Sequence, residues 1–505
     1  MVMETIQIRL TSGLIRELDT LVGRDIYPSK SEAVRDAVRR LILAKEQGAP
    51  PVMVKQLEQN VENEIRAVIK QETNQYQKVK GAVDFYPEEK LLKESIFRKL
   101  KKTAIRFNFK EVETPSFETL ELLTAKGGEE VADQIFKLEQ KGNEQLGLRF
   151  DITIPATRMF VTKQRELVKP VKWFYITRMW RYEAPQKGRL REFYQYGCEL
   201  FGSQSPKADA EVINLALESL KNLKLTENDI VVKVNNRKLL QGLLLEVVNS
   251  KILDNVIRII DKSEKITEDE LESELRKLGL VDSDIEKVKN IIKLKGKPLD
   301  ILQKIKPTSD LAKEGYQELK EVIDNLKQNL DFIKVDLSVA RGLAYYTGTV
   351  FEIFDKEEKL RAIAGGGRYD KMVEQFKGEP TPATGFGMGY ETLRILLEQK
   401  GVKPKIDLGP DYYIAPVNKD MNEKAEEIAL QLRKNFKVEV DLVDRKLGKQ
   451  FSYADSIKAK KIIIVGPDEV KFGKVVVRDM ATGKEEKVPI DKLGSESEEP
   501  WLRFM

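Results

Sequence analysis

The chain of 505 residues contains no histidine at all. That absence removes serine-histidine and cysteine-histidine catalysis, histidine-liganded metals and imidazole acid-base chemistry. A single cysteine, Cys198, excludes internal disulfides and cysteine-based zinc sites. Long hydrophobic runs are also missing, and none approaches the ~20 residues needed to span a bilayer. The first residues, MVMETIQIRL, show no signal-peptide pattern, so a cytoplasmic protein is expected. Charge of one sign is scarce in the balance: 87 basic against 82 acidic residues leave +5, so any nucleic-acid contact must come from local patches. Whatever chemistry the chain performs must run on carboxylates, arginines, a bound cation and positioning.

What is present points to a multidomain globular protein, with 41% hydrophobic and 33% charged residues. Residues 178–202, RMWRYEAPQKGRLREFYQYGCELFG, read as an antiparallel hairpin about a Pro185 to Gly188 turn. A period of two puts Arg191, Phe193, Gln195, Gly197 and Glu199 on one face of the second arm, and Tyr194, Tyr196, Cys198 and Leu200 on the other. The second set suits a core. The first suits a ligand floor, with Arg178, Arg181, Arg189 and Arg191 crowding the turn where forked guanidinium groups could pair with phosphate. Phe193 could stack on a base, and Gln195 and Glu199 could hold an ammonium group. A solvated arginine-rich hairpin would explain the same residues equally well.

Along the chain, residues 4–10 alternate as a short strand with Thr5, Gln7 and Arg9 on one face, followed by two capped helices to about Leu43. That order resembles the ribbon-helix-helix family, whose paired strands read the DNA major groove, and by that resemblance Thr5, Gln7 and Arg9 would be the readers and DNA a partner of residues 1–46. A small dimerisation module is the plain alternative. Residues 47–80 read as a helical linker. A long amphipathic helix is expected from about Pro87 to Phe107, then a short strand stopping at Pro115. Residues 148–158, LRFDITIPATR, read as a strand with Asp151 and Thr153 on one face, and a helix is expected over about 207–223. Residues 252–330 form a Lys/Glu-rich run of helices, an apparent insertion whose charges are read as a solvated face. Strand signals return at 332–354, 365–370 (GGGRYD) and 384–389 (TGFGMG), the last opening a helix at Tyr390. Two glycine-rich strings beside Arg341 and Arg368 suit a backbone that approaches a ligand closely, with arginines where phosphate charge develops. From Asp411 strands and helices alternate, which predicts an α/β domain with a mostly parallel sheet.

Four blocks, RYEAPQKGRLREFYQYGCELFG (181–202), VARGLAYYTGTVFE (339–352), GGGRYD (365–370) and LGKQFSYAD (447–455), resemble the class II aminoacyl-tRNA synthetases and, within them, the histidyl-tRNA synthetase family. The resemblance covers about 81–493. It implies an α+β fold, a class II antiparallel sheet of six or seven strands flanked by helices, with a carboxy-terminal α/β anticodon-binding domain. Nothing in the family accounts for residues 1 to about 80; the chain as a whole then divides into 1–46, 47–80, a catalytic core in two parts (81–251 and 331–403) around the insertion 252–330, an anticodon-binding domain at 404–494 and a tail at 495–505. The resemblance further implies ligation of L-histidine to tRNA(His) through an adenylate, with ATP as substrate, Mg2+ accompanying it, and a homodimer formed around Pro115. Arg181 and Arg341 would be catalytic, against the α-phosphate. Glu183, Arg189 and Phe193 would join Arg181 in binding ATP. Asp151, Thr153, Gln195 and Glu199 would hold the amino group of histidine, and Arg341, Tyr345 and Tyr346 would complete the histidine pocket. Two positions depart from the family pattern: Thr392 stands where the third class II motif carries an arginine for the γ-phosphate, and Ala344 stands where many members have Asp. A non-catalytic regulatory paralogue and a DNA-binding sensor are the competing readings. Paralogues of the first kind typically lack the terminal domain that this chain keeps.

Overall fold

The computed structural model describes residues 78–125, 132–140, 142–186, 188–341, 345–402 and 407–495. Backbone contacts divide the chain into Met1–Val79 and Lys80–Met505. The expected module at 1–46 with Thr5, Gln7 and Arg9, nearly all of the linker, Ala344, and the tail beyond Ser495 lie outside the described residues.

The long helix expected from about Pro87 is there, over Pro87–Arg106. Proline at its first position lacks only an N–H that would have had no partner, and Glu89 reaches back to the Tyr86 N–H at 2.7 Å. Its Ile96, Phe97, Leu100 and Ala104 stripe enters the main core. Next come β1 (Lys110–Glu111), β2 (Phe117–Thr119) and β3 (Leu146–Leu148), of which β2 and β3 pair with each other apart from the main sheet. The strand expected over 148–158 ends at Leu148, and Thr153–Lys163 is a helix. The reason is local. The Asp151 carboxylate accepts from the Thr153 N–H at 2.7 Å and the Ile154 N–H at 3.4 Å, and Pro155 falls in the first turn, where it costs no helical bond.

The hairpin forms as expected, with β4 (Val171–Trp180) and β5 (Glu192–Phe201) in register from Val171 opposite Phe201 to Trp180 opposite Glu192. Its connection is longer than the turn expected, and only its tip closes tightly, through Gln186 and Arg189. Tyr196, Cys198 and Leu200 are buried in the main core as their parity requires. Below them lies the helix Pro206–Asn222, then β6 (Ile230–Asn236), where Asn236 caps a further helix, Arg237–Leu245.

Helices of the run 252–330 divide between two cores. Leu253–Lys262, Glu268–Lys277 and Asp282–Ile292 close a small cluster around Val256, Ile260, Leu275 and Val288, whereas Asp310–Asn325 sends Ala312, Leu319 and Val322 into the main core. Strands β7 (Lys295–Gly296), β8 (Ile333–Asp336), β9 (Thr349–Asp355), β10 (Ala364–Arg368) and β11 (Ala383–Gly389) complete the sheet. Its order is β1-β4-β5-β11-β10-β9-β6-β8-β7: nine strands among the described residues, antiparallel except for the pairs β1–β4 and β6–β8. The excess over the six or seven expected comes from two-residue edge strands, too short to carry a pattern.

The terminal domain has β12 (Tyr412–Pro416), β13 (Val438–Val440), β14 (Lys461–Val465), β15 (Lys474–Asp479) and β16 (Glu485–Pro489), ordered β13-β12-β14-β15-β16. Its first three strands are parallel, joined by the helices Asn422–Arg433 and Leu447–Ser456. The last two are antiparallel, so the sheet is more mixed than alternation predicted.

Candidate active site

Pairing of β4, β5, β11, β10 and β9 lines up two rows of residues across one face of the sheet. Tyr175, Gly197, Gly387, Gly365 and Glu352 form one; Trp173, Glu199, Gly385, Gly367 and Val350 form the other. Residues directly opposite in antiparallel strands share a face, so a strip of glycines runs through the middle. The bare backbone is filled by side chains lying over it. A Cβ at Gly387 would stand 1.8 Å from Gln195 Nε2, and one at Gly365 would stand 1.5 Å from Arg341 Nη1. Only glycine permits either approach.

At one end the floor is acidic. Glu199 is 1% exposed, and its carboxylate accepts from Thr153 Oγ1 at 2.8 Å and from the Tyr369 hydroxyl. Asp151, held by the helix start it caps, lies near enough to bias the ionisation of Arg181, Tyr175, Tyr345 and Tyr346. Burial, then the Glu199 charge, pushes the phenols of Tyr175 and Tyr369 well up, so both stay neutral hydrogen-bond donors. The Tyr345 and Tyr346 rings lie 4.3 Å apart at a tilt of 38°, with their hydroxyls 3.1 Å apart, and Tyr345 meets Tyr369 edge-on.

The other end is cationic. Arg181 Nε donates to the Phe150 carbonyl at 3.2 Å and the guanidinium stands 5.1 Å from the Phe193 ring centre; burial lowers its pKa, with the Asp151 charge opposing. Phe193 is backed by Ile152, Tyr175 and Met179. Arg341 adopts φ +45° and reaches Glu352 at 3.0 Å. Burial opposes its charge, yet Tyr346 and Glu352 together hold the guanidinium above its ordinary value. Arg189 is ion-paired with Glu183, whose carbonyl accepts from Arg191 Nε at 3.0 Å.

Thus the fold gathers Asp151, Thr153, Arg181, Gln195, Glu199, Phe193, Arg341, Tyr345 and Tyr346 on one face, with Glu183 and Arg189 on the loop beside them. Two arginines expected near phosphate are elsewhere. Arg178 faces away, donating to the Tyr194 hydroxyl at 2.8 Å and to Glu192 at 3.0 Å, because it stands opposite Tyr194 on the core-side parity. Arg368 is buried on the far face, bonded to Asp209 at 3.0 Å, Asp370 at 3.2 Å and the carbonyls of Ser203 and Ser205. Tyr175, Tyr369 and Glu352 were not singled out from sequence. The last two stand inside or beside glycine-rich blocks, but only strand pairing shows that they meet Glu199 and Arg341. Thr392 is 6% exposed with its hydroxyl 3.5 Å from the Gly188 carbonyl, and Arg394 is turned to Glu391 and Glu398.

An antiparallel sheet carrying this hairpin and glycine floor defines the catalytic core of a class II aminoacyl-tRNA synthetase. The model of the histidyl-tRNA synthetase family matches residues 81–393, and that of an anticodon binding domain matches residues 411–499. The chain belongs to the histidyl-tRNA synthetase family. It is 40% identical over 423 residues to the histidine–tRNA ligase of Pyrococcus furiosus, covering 83% of this chain and 97% of that one. To the histidine–tRNA ligase of Haloarcula marismortui it is 37% identical over 436 residues, 84% of this chain and 98% of the relative. The crystal structure of histidyl-tRNA synthetase from Nostoc sp. PCC 7120 superposes with a TM-score of 0.72 at 28% identity, over 84% of this chain and 99% of the other.

Proposed function

We propose that the chain ligates L-histidine to tRNA(His) in two steps, forming histidyl-adenylate from histidine and ATP with release of diphosphate, then transferring the histidyl group to the tRNA with release of AMP. The observation that carries this reading is the glycine floor with a buried carboxylate at one end and two half-buried guanidinium groups at the other, a polarity that matches an amino acid laid head-to-tail against a nucleotide phosphate. The ammonium group of histidine is placed at Glu199, Thr153, Asp151 and Gln195, and its imidazole against Tyr345 and Tyr346. Its carboxylate then faces Arg181 and Arg341. A carboxylate oxygen attacks the α-phosphorus in line, the bond to the bridging oxygen breaks, and diphosphate leaves with the electron pair. Arg181 and Arg341, already fixed by Phe150 and Glu352, offset the charge that gathers on the phosphoryl oxygens. The terminal ribose hydroxyl of the tRNA then attacks the acyl carbon and AMP departs. Phe193 supports the adenine, Glu183 its edge, and Arg189 the phosphates.

Among the described residues no cluster of three or more acidic or cysteine side chains could cage a metal ion. Mg2+ would enter with ATP, held mainly by the substrate's phosphates, and would supply charge neutralisation there. The division of the chain at residues 81, 252, 331 and 404, a homodimer built around Pro115, and residence in the cytoplasm belong to the same reading. No helix among the described residues is long and apolar enough to cross a membrane. Binding of DNA through Thr5, Gln7 and Arg9 rests on the resemblance of residues 1–46 alone and can coexist with ligation.

Histidine-dependent ATP–diphosphate exchange on the purified chain tests the proposal. Exchange supported by histidine and by no other amino acid is the expected result. A folded protein that binds histidine yet catalyses no exchange overturns it in favour of a regulatory paralogue.

A further inference from the structure

The mouth of the cleft carries a cation that neither the core nor the adenylation step explains. The turn between β9 and β10 is rigid: Asp355 accepts from the backbone N–H groups of Lys359 at 3.1 Å and Leu360 at 2.8 Å. Three of its other charges are paired off, Glu357 with Lys359 and Glu358 with the buried Lys233. Arg361, like Lys356 near the start of the turn, has no carboxylate partner among the described residues, but only Arg361 is tied to the β4–β5 loop. It is exposed, and its Nη2 donates to Gln186 Oε1 at 3.0 Å, which fastens it to the tip of that loop. That tip is the one that Gln186 and Arg189 close and Thr392 touches through Gly188.

Three guanidinium groups therefore converge on the loop. The charge on Arg189 is opposed by burial, then by Arg361, then by Arg181, so the arginines lie within one another's fields. Arg189 is neutralised by Glu183 and Arg181 faces inward, but Arg361 is held at the outer end with its charge unmatched. An unmatched guanidinium held beside two others on one loop calls for an anion between them. Thr392 offers no charge there, and Arg394 is engaged by Glu391 and Glu398.

The geometry points to Arg361 as the arginine that binds the β- and γ-phosphates of ATP in this protein, in the place of the charge that position 392 lacks. This rests on the adenylation reading of the cleft. An arginine fork on a phosphate is a charge-assisted contact, and losing one weakens binding about tenfold or more.

Titration calorimetry with ATP and with AMP, on the full chain and on Arg361→Ala, Arg361→Lys and Gln186→Ala, separates the possibilities. Arg361→Ala should weaken ATP about tenfold and leave AMP unchanged, with Arg361→Lys in between. Equal losses for ATP and AMP, no loss for either, or a full reproduction of the defect by Gln186→Ala would each sink the assignment, the last showing that Arg361 only props the loop. In exchange assays the KM for ATP should rise while that for histidine stays. Because the calorimetric difference needs no turnover, it reads Arg361 even if the unaltered chain fails to exchange with histidine, an outcome that would count against adenylation instead.

Discussion

Glu199 is almost wholly buried, with one oxygen on Thr153 and the other on Tyr369, so its charge is committed to whatever cation enters the floor. Glu199→Gln keeps the shape and removes the charge. It should raise the KM for histidine by about ten- to a hundredfold, the worth of a hydrogen bond to a charged group, and leave the KM for ATP alone. A change confined to ATP would refute the assignment of the acidic end. Asp209 illustrates a structural carboxylate on the opposite face. Burial pushes its pKa up to about 6, with the Arg368 guanidinium pulling the other way. Since the folded value exceeds the unfolded one of 3.8, the folded state holds the extra proton between these limits, and this group's contribution to stability falls as pH rises through them. Asp209→Asn imitates the protonated form. Its melting temperature relative to the parent should therefore be higher at about pH 7 than at about pH 5; a pH-independent difference would contradict the raised value.

Among elements, the strand β10 separates function from stability within two residues. A methyl at Gly365 meets only the end of the Arg341 side chain, whereas one at Gly366 meets the Gly385 carbonyl at 2.2 Å and Phe386. Gly365→Ala should melt near the parent temperature and lose most exchange activity, because Arg341 is displaced. Gly366→Ala should lose about 1–3 kcal/mol of stability from overpacking. Thermal melts beside exchange assays check both, and equal melting of the two variants would deny the two-faced reading of the strand. Elements also mark where pattern reading failed. Residues 148–158 read as a strand, but a single carboxylate on two N–H groups and a tolerated proline turn the chain from Thr153 onward into a helix. Alternation likewise could not say that Arg178 and Arg368 belong to the core-side parity until the pairing partners were known.

At the scale of the molecule, the Pyrococcus relative is matched over 97% of its own length by 83% of this chain, and Met1–Val79 is a separate unit. A chain starting at residue 78 should therefore retain histidine-dependent exchange within about threefold, as expected where a domain has its own core. Replacing Thr5, Gln7 and Arg9 together should leave exchange untouched, and loss of activity in either variant would tie the front segment to catalysis. Sequence by itself determined the chemistry available: without histidine and with one cysteine, carboxylates, arginines, a bound cation and alignment remain. It also determined the hairpin and the two faces of β5, because a period of two is a local property of extended chain. Tertiary structure alone decided which glycines became a floor, that Tyr369 meets Glu199 and Glu352 meets Arg341, and that Arg361 reaches Gln186. Those contacts join residues from 11 to 175 positions apart. They follow from strand order and register, which no local pattern encodes.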